Sequence, residues 1–229
     1  MIKYYMVGGA VRDKILGIDP KYIKDIDYSV EAPSYEAMKT ELLKRGLEMF
    51  PIKEDYMTIR GKLNGVAADF VLCRKDGHYS DGRRPDTVEI GTLYDDLARR
   101  DFTMNAIAID SETGEYIDPF NGREDIANKL IRCVGSADRL REDSLRMIRA
   151  LRFKVTKGFY LHEDVVDCIE SDFKLLRNVS RERIYEEMNR MFAVSSIETF
   201  KLMIDFEEVF RFIFEECKVD LAAVLKEVK

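Results

Sequence analysis

The chain has 229 residues, 46% of them apolar and 35% charged, with a net charge of −6 at neutral pH. That composition describes a soluble globular protein able to bury its own core, as one large domain or two small ones. No run approaches 18 apolar residues, and four scattered cysteines with only two histidines form no CxxC pair, which argues against a membrane span, a structural zinc site and a histidine-dependent nucleophile.

The opening "MIKYYMVGGAVRD" lacks a signal-peptide core, so a cytoplasmic location with reduced thiols is expected. "KYYMV" reads as a strand, followed by Gly8-Gly9 and a helix that ends at Gly17. "DIDYSV" is a second strand, and "PSYEAMKTELLKRG" a helix with Pro33 at its start and Gly46 as its stop. "YMTIRGKL" and "VAADFVLCR" flank Asn64-Gly65, a strong hairpin signal. A polar loop, "KDGHYSDGRRPD", follows. "YDDLARRDFTMNAIAID" is expected to be helical before turning to a strand, and "SETGEYIDPFNGRED" to be a turn-rich connection.

From about Ala137 the pattern is helical. "ADRLREDSLRMIRALRFKV" carries apolar residues at helical spacing, and "HEDVVDCIESDFKLL", "SRERIYEEMNRMF" and "SIETFKLMIDFEEVFRFIFEECK" continue it. The expected organisation is an α/β head over residues 1–137 and an all-α region over 138–229. The negative net charge argues mildly against nonspecific nucleic-acid binding, yet Arg132, Arg139, Arg141, Arg146, Arg149 and Arg152 gather in one stretch that can grip phosphates locally.

Asp25 and Asp27 raise a physical question. Two residues apart on a strand, they share a face at a separation of roughly 6.5–7 Å and repel by about 2–3 kcal/mol at an effective dielectric near 20. They either splay into water or share a cation. Just upstream, Gly8 and Gly9 open a helix after a strand, where the backbone can approach a ligand closely and free N–H groups favour phosphate. A glycine cradle beside paired carboxylates suits a nucleoside triphosphate with Mg²⁺. Asp69, on the second hairpin strand, offers a third acid.

Together, "GGAVRD…DID", "DGRRPD", "RRDFTMNA", "DPFNGRED", "REDSLRMIRALRF" and "SRERIYEEM" resemble the class II tRNA nucleotidyltransferases, from residue 6 to about 192. These are the CCA-adding enzymes and the related bacterial poly(A) polymerases, within the DNA polymerase β nucleotidyltransferase superfamily. The resemblance implies an α+β fold, with a mixed-sheet catalytic head and a helical neck. It also implies template-independent transfer from CTP and ATP to a tRNA 3′ end with Mg²⁺. By position, Gly8, Gly9 and Arg12 match the triphosphate-binding motif, and Asp25 and Asp27 the metal-binding pair. Asp69 matches an acid on a later strand that serves a two-metal site, and Arg100, Asp101 and Asn105 the ribose-recognising motif. Asp101 and Asn105 would stand at i and i+4 of a helix, both facing one sugar.

"EDSLR" matches the base-reading motif, and its chemistry stands independently. Asp143 only accepts hydrogen bonds and Arg146 only donates them. Cytosine and adenine both show an amino donor beside a ring-nitrogen acceptor, whereas uracil and guanine show the reverse. An Asp143–Arg146 pair at i and i+3 would therefore accept C and A and reject U and G, by roughly 1–3 kcal/mol for each unpaired group. Arg149, one turn on, could complete the contact.

The sequence departs from the family in lacking an Asp-Pro before the base-reading helix, at "VGSADRL", and in its acidic net charge. Family members are typically longer, with body and tail regions, so the chain reads as a minimal form or as part of a longer protein. Addition of the whole CCA end is the leading expectation. CC-only or A-only relatives and poly(A) polymerase are the enzymatic alternatives, and a non-catalytic RNA-binding module the remaining one.

Overall fold

A computed structural model describes residues 2–23, 26–50, 57–63, 65–77 and 86–227, which divide into two compact units. Of the described residues, those within 1–77 and 87–127 form the first, and those within 78–86 and 128–229 the second.

In the first unit, strand β1 (Lys3–Val7) leads into helix α1 (Gly9–Ile15), and β2 (Ile26–Glu31) into α2 (Tyr35–Lys44). Ser34 caps α2 by accepting from the Ala37 N–H at 3.1 Å, and Gly46, at φ +85°, makes the left-handed stop expected of it. Strands β3 (Glu48–Met49), β4 (Thr58–Leu63) and β5 (Val66–Leu72) follow, then β6 (Arg74–Asp76), β7 (Val88–Ile90) and α3 (Leu93–Ala98). A 3₁₀ turn (Thr103–Asn105), β8 (Ala108–Asp110), β9 (Tyr116–Ile117) and α4 (Gly122–Ala127) complete it.

Seven of these strands form one mixed sheet in the order β3-β4-β5-β2-β1-β8-β9. Only β2 and β5 run parallel among its paired neighbours. The pairing of Leu63 with Val66 is that of the hairpin expected at residues 64 and 65, although Asn64 lies outside the described residues. The polar segment expected as loop begins as strand, since β6 pairs with β7 in a separate ribbon, and residues 78–85 lie outside the described residues.

The pleat divides the chemistry of the sheet. Tyr28 and Val30 pack with Phe70, Leu72, Ile59, Met38 and Leu42, where α2 covers the sheet. Tyr28 stacks on Phe70 at 5.0 Å between ring centres. Alternation then sends Asp27, Ser29 and Glu31 to the opposite face.

The second unit contains β10 (Leu130–Ile131), α5 (Asp138–Glu142), α6 (Leu145–Lys157), β11 (Tyr160–Leu161) and α7 (Glu163–Asp172). A 3₁₀ segment (Phe173–Asn178), α8 (Arg181–Val194), α9 (Ser196–Asp205), α10 (Glu207–Glu215) and α11 (Leu221–Glu227) follow. The short parallel pair β10–β11 interrupts an otherwise helical region. Two helices expected to be continuous are broken. Asp143, extended at φ −136° and ψ 101°, separates α5 from α6, and its carboxylate accepts from the Leu145 N–H at 3.2 Å. A short acid side chain that bonds nearby backbone competes with the helix in this way. Phe206, at φ −116° and ψ 46°, separates α9 from α10. Among the described residues, no helix is long and apolar enough to cross a membrane.

Candidate active site

Asp27 on β2 is paired in register with Asp69 on β5, and Asp69 with Arg60 on β4. Register partners project from the same face, with strands about 4.8 Å apart. At that spacing two carboxylates repel by about 3 kcal/mol at an effective dielectric near 20. Arg60 answers part of that charge, since its Nε and Nη2 grip both oxygens of Asp69 in a bidentate pair. The three side chains line a cavity of about 280 Å³, with Phe50 at its edge.

Asp25 lies outside the described residues. Among the described residues no cluster of three or more His, Cys, Asp or Glu forms a metal site. The donors that do meet, Asp27 and Asp69, offer hard carboxylate oxygens on an open wall, which fits a hard divalent cation. Arg60 was missed from the sequence. Its signal was there: a two-residue hairpin turn at 64 and 65 places residue 60 opposite residue 69.

Beside this row, Gly8 precedes α1 at φ +71° and ψ −138°. A Cβ on Gly8 would stand 3.1 Å from Arg100 Nη1 and 3.5 Å from Asp27 Oδ2, so glycine is needed for both backbone angle and space. Arg12, on α1, is buried and donates from Nη1 to Asn105 Oδ1 at 2.7 Å. The Asn105 amide donates in turn to Asp101 Oδ1 at 3.0 Å, which also accepts from the Phe102 N–H at 2.8 Å.

Asp101 and Asn105 are therefore not i and i+4 of one α-helix. Helix α3 ends at Ala98, Asp101 lies in the turn after it, and Asn105 closes the 3₁₀ turn. Burial of Phe102 and Met104, both at 0% exposure, draws this segment into the core. The structure still brings Asp101 and Asn105 together, with Arg12 as their third member.

Asp96 is the other residue missed in the sequence. It is wholly buried, accepting from Ser29 Oγ at 2.6 Å, from Arg99 Nε at 3.0 Å and from Arg100 Nη2 at 3.1 Å. Burial alone would raise its pKa, but Arg100 and Arg99, with the Ser29 hydrogen bond, outweigh it and bring the value down to about 2. "YDDLARRD" reads as a solvated helix end, and only packing shows which acid faces inward.

In the second unit Asp143 and Arg146 are joined through backbone, the Arg146 N–H donating to the Asp143 carbonyl at 2.9 Å. Asp143, however, precedes α6 rather than riding on it. Its Oδ2 accepts from Arg183 Nη2 at 3.1 Å, while Arg146 donates to the Arg139 carbonyl at 2.9 Å and to Glu142 at 3.2 Å. Arg149 lies 4.0 Å from Glu187, a buried acid on α8 that Arg152 also grips. Partners for Asp143 and Arg149 thus come from α8, which sequence spacing along α6 does not show.

A family model described as "Poly A polymerase head domain" matches residues 4–132, and one described as "Probable RNA and SrmB- binding site of polymerase A" matches residues 158–221. The CCA-adding enzyme of Geobacillus kaustophilus is 43% identical over 195 residues, covering 82% of this chain and 45% of its own length. The crystal structure of the Bacillus stearothermophilus CCA-adding enzyme in complex with CTP aligns with a TM-score of 0.74 and 36% identity, over 89% of this chain and 48% of that one. A tRNA nucleotidyltransferase complexed with a primer tRNA and an incoming ATP analog aligns with a TM-score of 0.74 and 28% identity, over 98% and 63%. The chain spans about half the length of the curated relatives it matches.

Proposed function

The chain belongs to the Poly A polymerase head-domain family, and from that premise we propose that it is a template-independent tRNA nucleotidyltransferase, adding C and A to tRNA 3′ ends from CTP and ATP. The observation that carries the reading is the register pairing of Asp27 with Asp69 beside the Gly8 turn. Paired carboxylates next to a backbone turn with buried arginines are what a metal-bound triphosphate requires. The CCA-adding relatives, one of them in complex with CTP, support the choice of substrates.

In this reading the tRNA 3′-hydroxyl attacks the α-phosphorus, a new P–O bond forms, and the bond to pyrophosphate breaks. Asp25, Asp27 and Asp69 are the catalytic carboxylates: Asp25 and Asp27 would hold Mg²⁺, and Asp69 would take the proton of the attacking hydroxyl. When bound, Mg²⁺ supplies Lewis-acid stabilisation of the charge on the reacting phosphate. Gly8 and Gly9 let the triphosphate approach the backbone, Arg12 meets its charge, and Arg100 stands with Asp101 and Asn105 at the ribose. Asn105, itself bonded to Asp101, holds Arg12. Asp143 accepts from, and Arg146 donates to, the base edge, with Arg149 alongside. A protein working on tRNA from free nucleotides in this way is assigned to the cytoplasm.

The test is to incubate the protein and Mg²⁺ with tRNA transcripts ending before CCA, after C and after CC, with all four nucleotides, and to sequence the 3′ ends. Addition of C, C and A followed by a stop is expected. CC alone, A alone or a long A tail would assign the chain to the corresponding relative, and no addition together with no CTP binding would leave an RNA-binding module.

A further inference from the structure

Arg100 stands closest to where a side chain on Gly8 would be, yet an arginine on a short turn is a flexible cation unless something holds it. Asp96 is the group placed to do so. Its carboxylate is at 0% exposure and takes one Arg100 contact at 3.1 Å, through Nη2. Ser29 Oγ donates to Asp96 at 2.6 Å and accepts from Arg100 Nη2 at 3.3 Å, closing a three-membered ring of contacts. Ser29 is two residues beyond Asp27 on β2 and so shares its face. The other terminal nitrogen, Nη1, donates to the Asn105 carbonyl at 3.4 Å and lies against Gly8. Arg100 Nε is buried without a hydrogen-bond partner among the described residues. Leaving a buried donor unmet is costly, so the pose is set by the contacts at the terminal nitrogens and not by local optimisation of the side chain.

We propose that Asp96 is a positioning residue, fixing the Arg100 guanidinium against the Gly8 turn, whose open space Asp27 also borders, so that the incoming nucleotide meets a preset cation. The proposal rests on reading this face as a nucleoside triphosphate site. Asp96 touches no substrate and acts through Arg100 and Ser29. A merely structural Asp96 would neutralise buried charge and affect binding whether or not Arg100 were present. A positioning Asp96 matters only while Arg100 is there to be positioned.

The experiment is a double-mutant cycle of CTP binding by calorimetry with Mg²⁺, using Asp96→Asn, Arg100→Ala and their combination. Asp96→Asn is expected to weaken CTP binding about tenfold in the parent and less than about twofold in the Arg100→Ala background. Equal losses in both backgrounds would overturn the proposal. Because Asp96→Asn removes a buried charge, Ser29→Ala serves as a milder variant, with about threefold weakening expected that likewise vanishes without Arg100. Nitrogen-15 NMR of the arginine Nε–H groups reads the pose without nucleotide. The Arg100 signal, identified by its loss in Arg100→Ala, is expected to be protected from exchange in the parent and exposed in Asp96→Asn. An unchanged signal would overturn positioning. A parent that keeps the protected signal yet binds no CTP would remove the nucleotide reading and leave the Asp96–Arg100 lock standing.

Discussion

Among the described residues, Asp27 and Asp69 are register partners across the parallel β2–β5 pair of the main sheet, and Arg60 grips both oxygens of Asp69. Removing Asp27 therefore takes away a ligand position and relieves a repulsion of about 3 kcal/mol, estimated at an effective dielectric near 20. Asp27→Ala is expected to lower 3′-end extension by about a thousandfold or more, as loss of a metal-ion contribution of several kcal/mol would. Its thermal midpoint should be unchanged or higher. A variant that unfolds would show that Asp27 is chiefly structural.

Two glycines at similar positive φ separate the demand for glycine from site chemistry. Gly8 and Gly17 have φ of +71° and +75°, but a Cβ on Gly8 meets Arg100 and Asp27 while one on Gly17 meets nothing within 4 Å. Both alanine substitutions should destabilise in urea titrations, Gly17→Ala by about 1–2 kcal/mol and Gly8→Ala, with its ψ of −138°, by more. Only Gly8→Ala should also weaken CTP binding, measured by calorimetry. Equal binding in the two variants would remove Gly8 from the site.

Acid stability should report Asp96. Its pKa falls from an ordinary 3.8 to about 2 in the folded chain, where burial, which acts to raise it, is outweighed by Arg100, Arg99 and Ser29. A depressed carboxylate contributes stability that is complete above its unfolded pKa and fades as pH falls through its folded one. About 2 kcal/mol of unfolding free energy should therefore disappear between roughly pH 4 and pH 2 on account of this group. Asp96→Asn, followed by urea titration at each pH, should flatten that part of the profile.

For Asp143, the partner on α8 sharpens the expectation. Asp143→Ala should keep C and A transfer but reduce discrimination against UTP and GTP by about tenfold, as loss of one hydrogen-bonding group does. Arg183→Ala should move selectivity in the same direction by less, since it leaves the carboxylate present on its Leu145 N–H contact but without the guanidinium. Competition assays with all four nucleotides read both. Unchanged selectivity in Asp143→Ala would place base reading elsewhere.

Much of the head was legible in local pattern. The pairing of Leu63 with Val66, the Ser34 start and Gly46 stop of α2, and the alternation along β2 all act over a few residues. So does the placing of Asp27 opposite the apolar face. The helical region was legible in kind but not in its breaks. Asp143 and Phe206 sit in stretches whose apolar spacing stays helical on either side, and what departs is the backbone at one residue. The i, i+4 reading of Asp101 and Asn105 failed for a related reason, because burial of Phe102 and Met104 overrode a helical-looking run.

Sequence alone determined the architecture, the candidate acids and the glycine turn, since strand alternation, helix periodicity and turn chemistry are properties of near neighbours in the chain. Tertiary structure decided who pairs with whom. Arg12 meets Asn105 across 93 residues, Ser29 meets Asp96 across 67, and Arg183 meets Asp143 across 40. Such partners are chosen by the need to satisfy buried charge wherever folding happens to bring it, and that need leaves no period in the sequence.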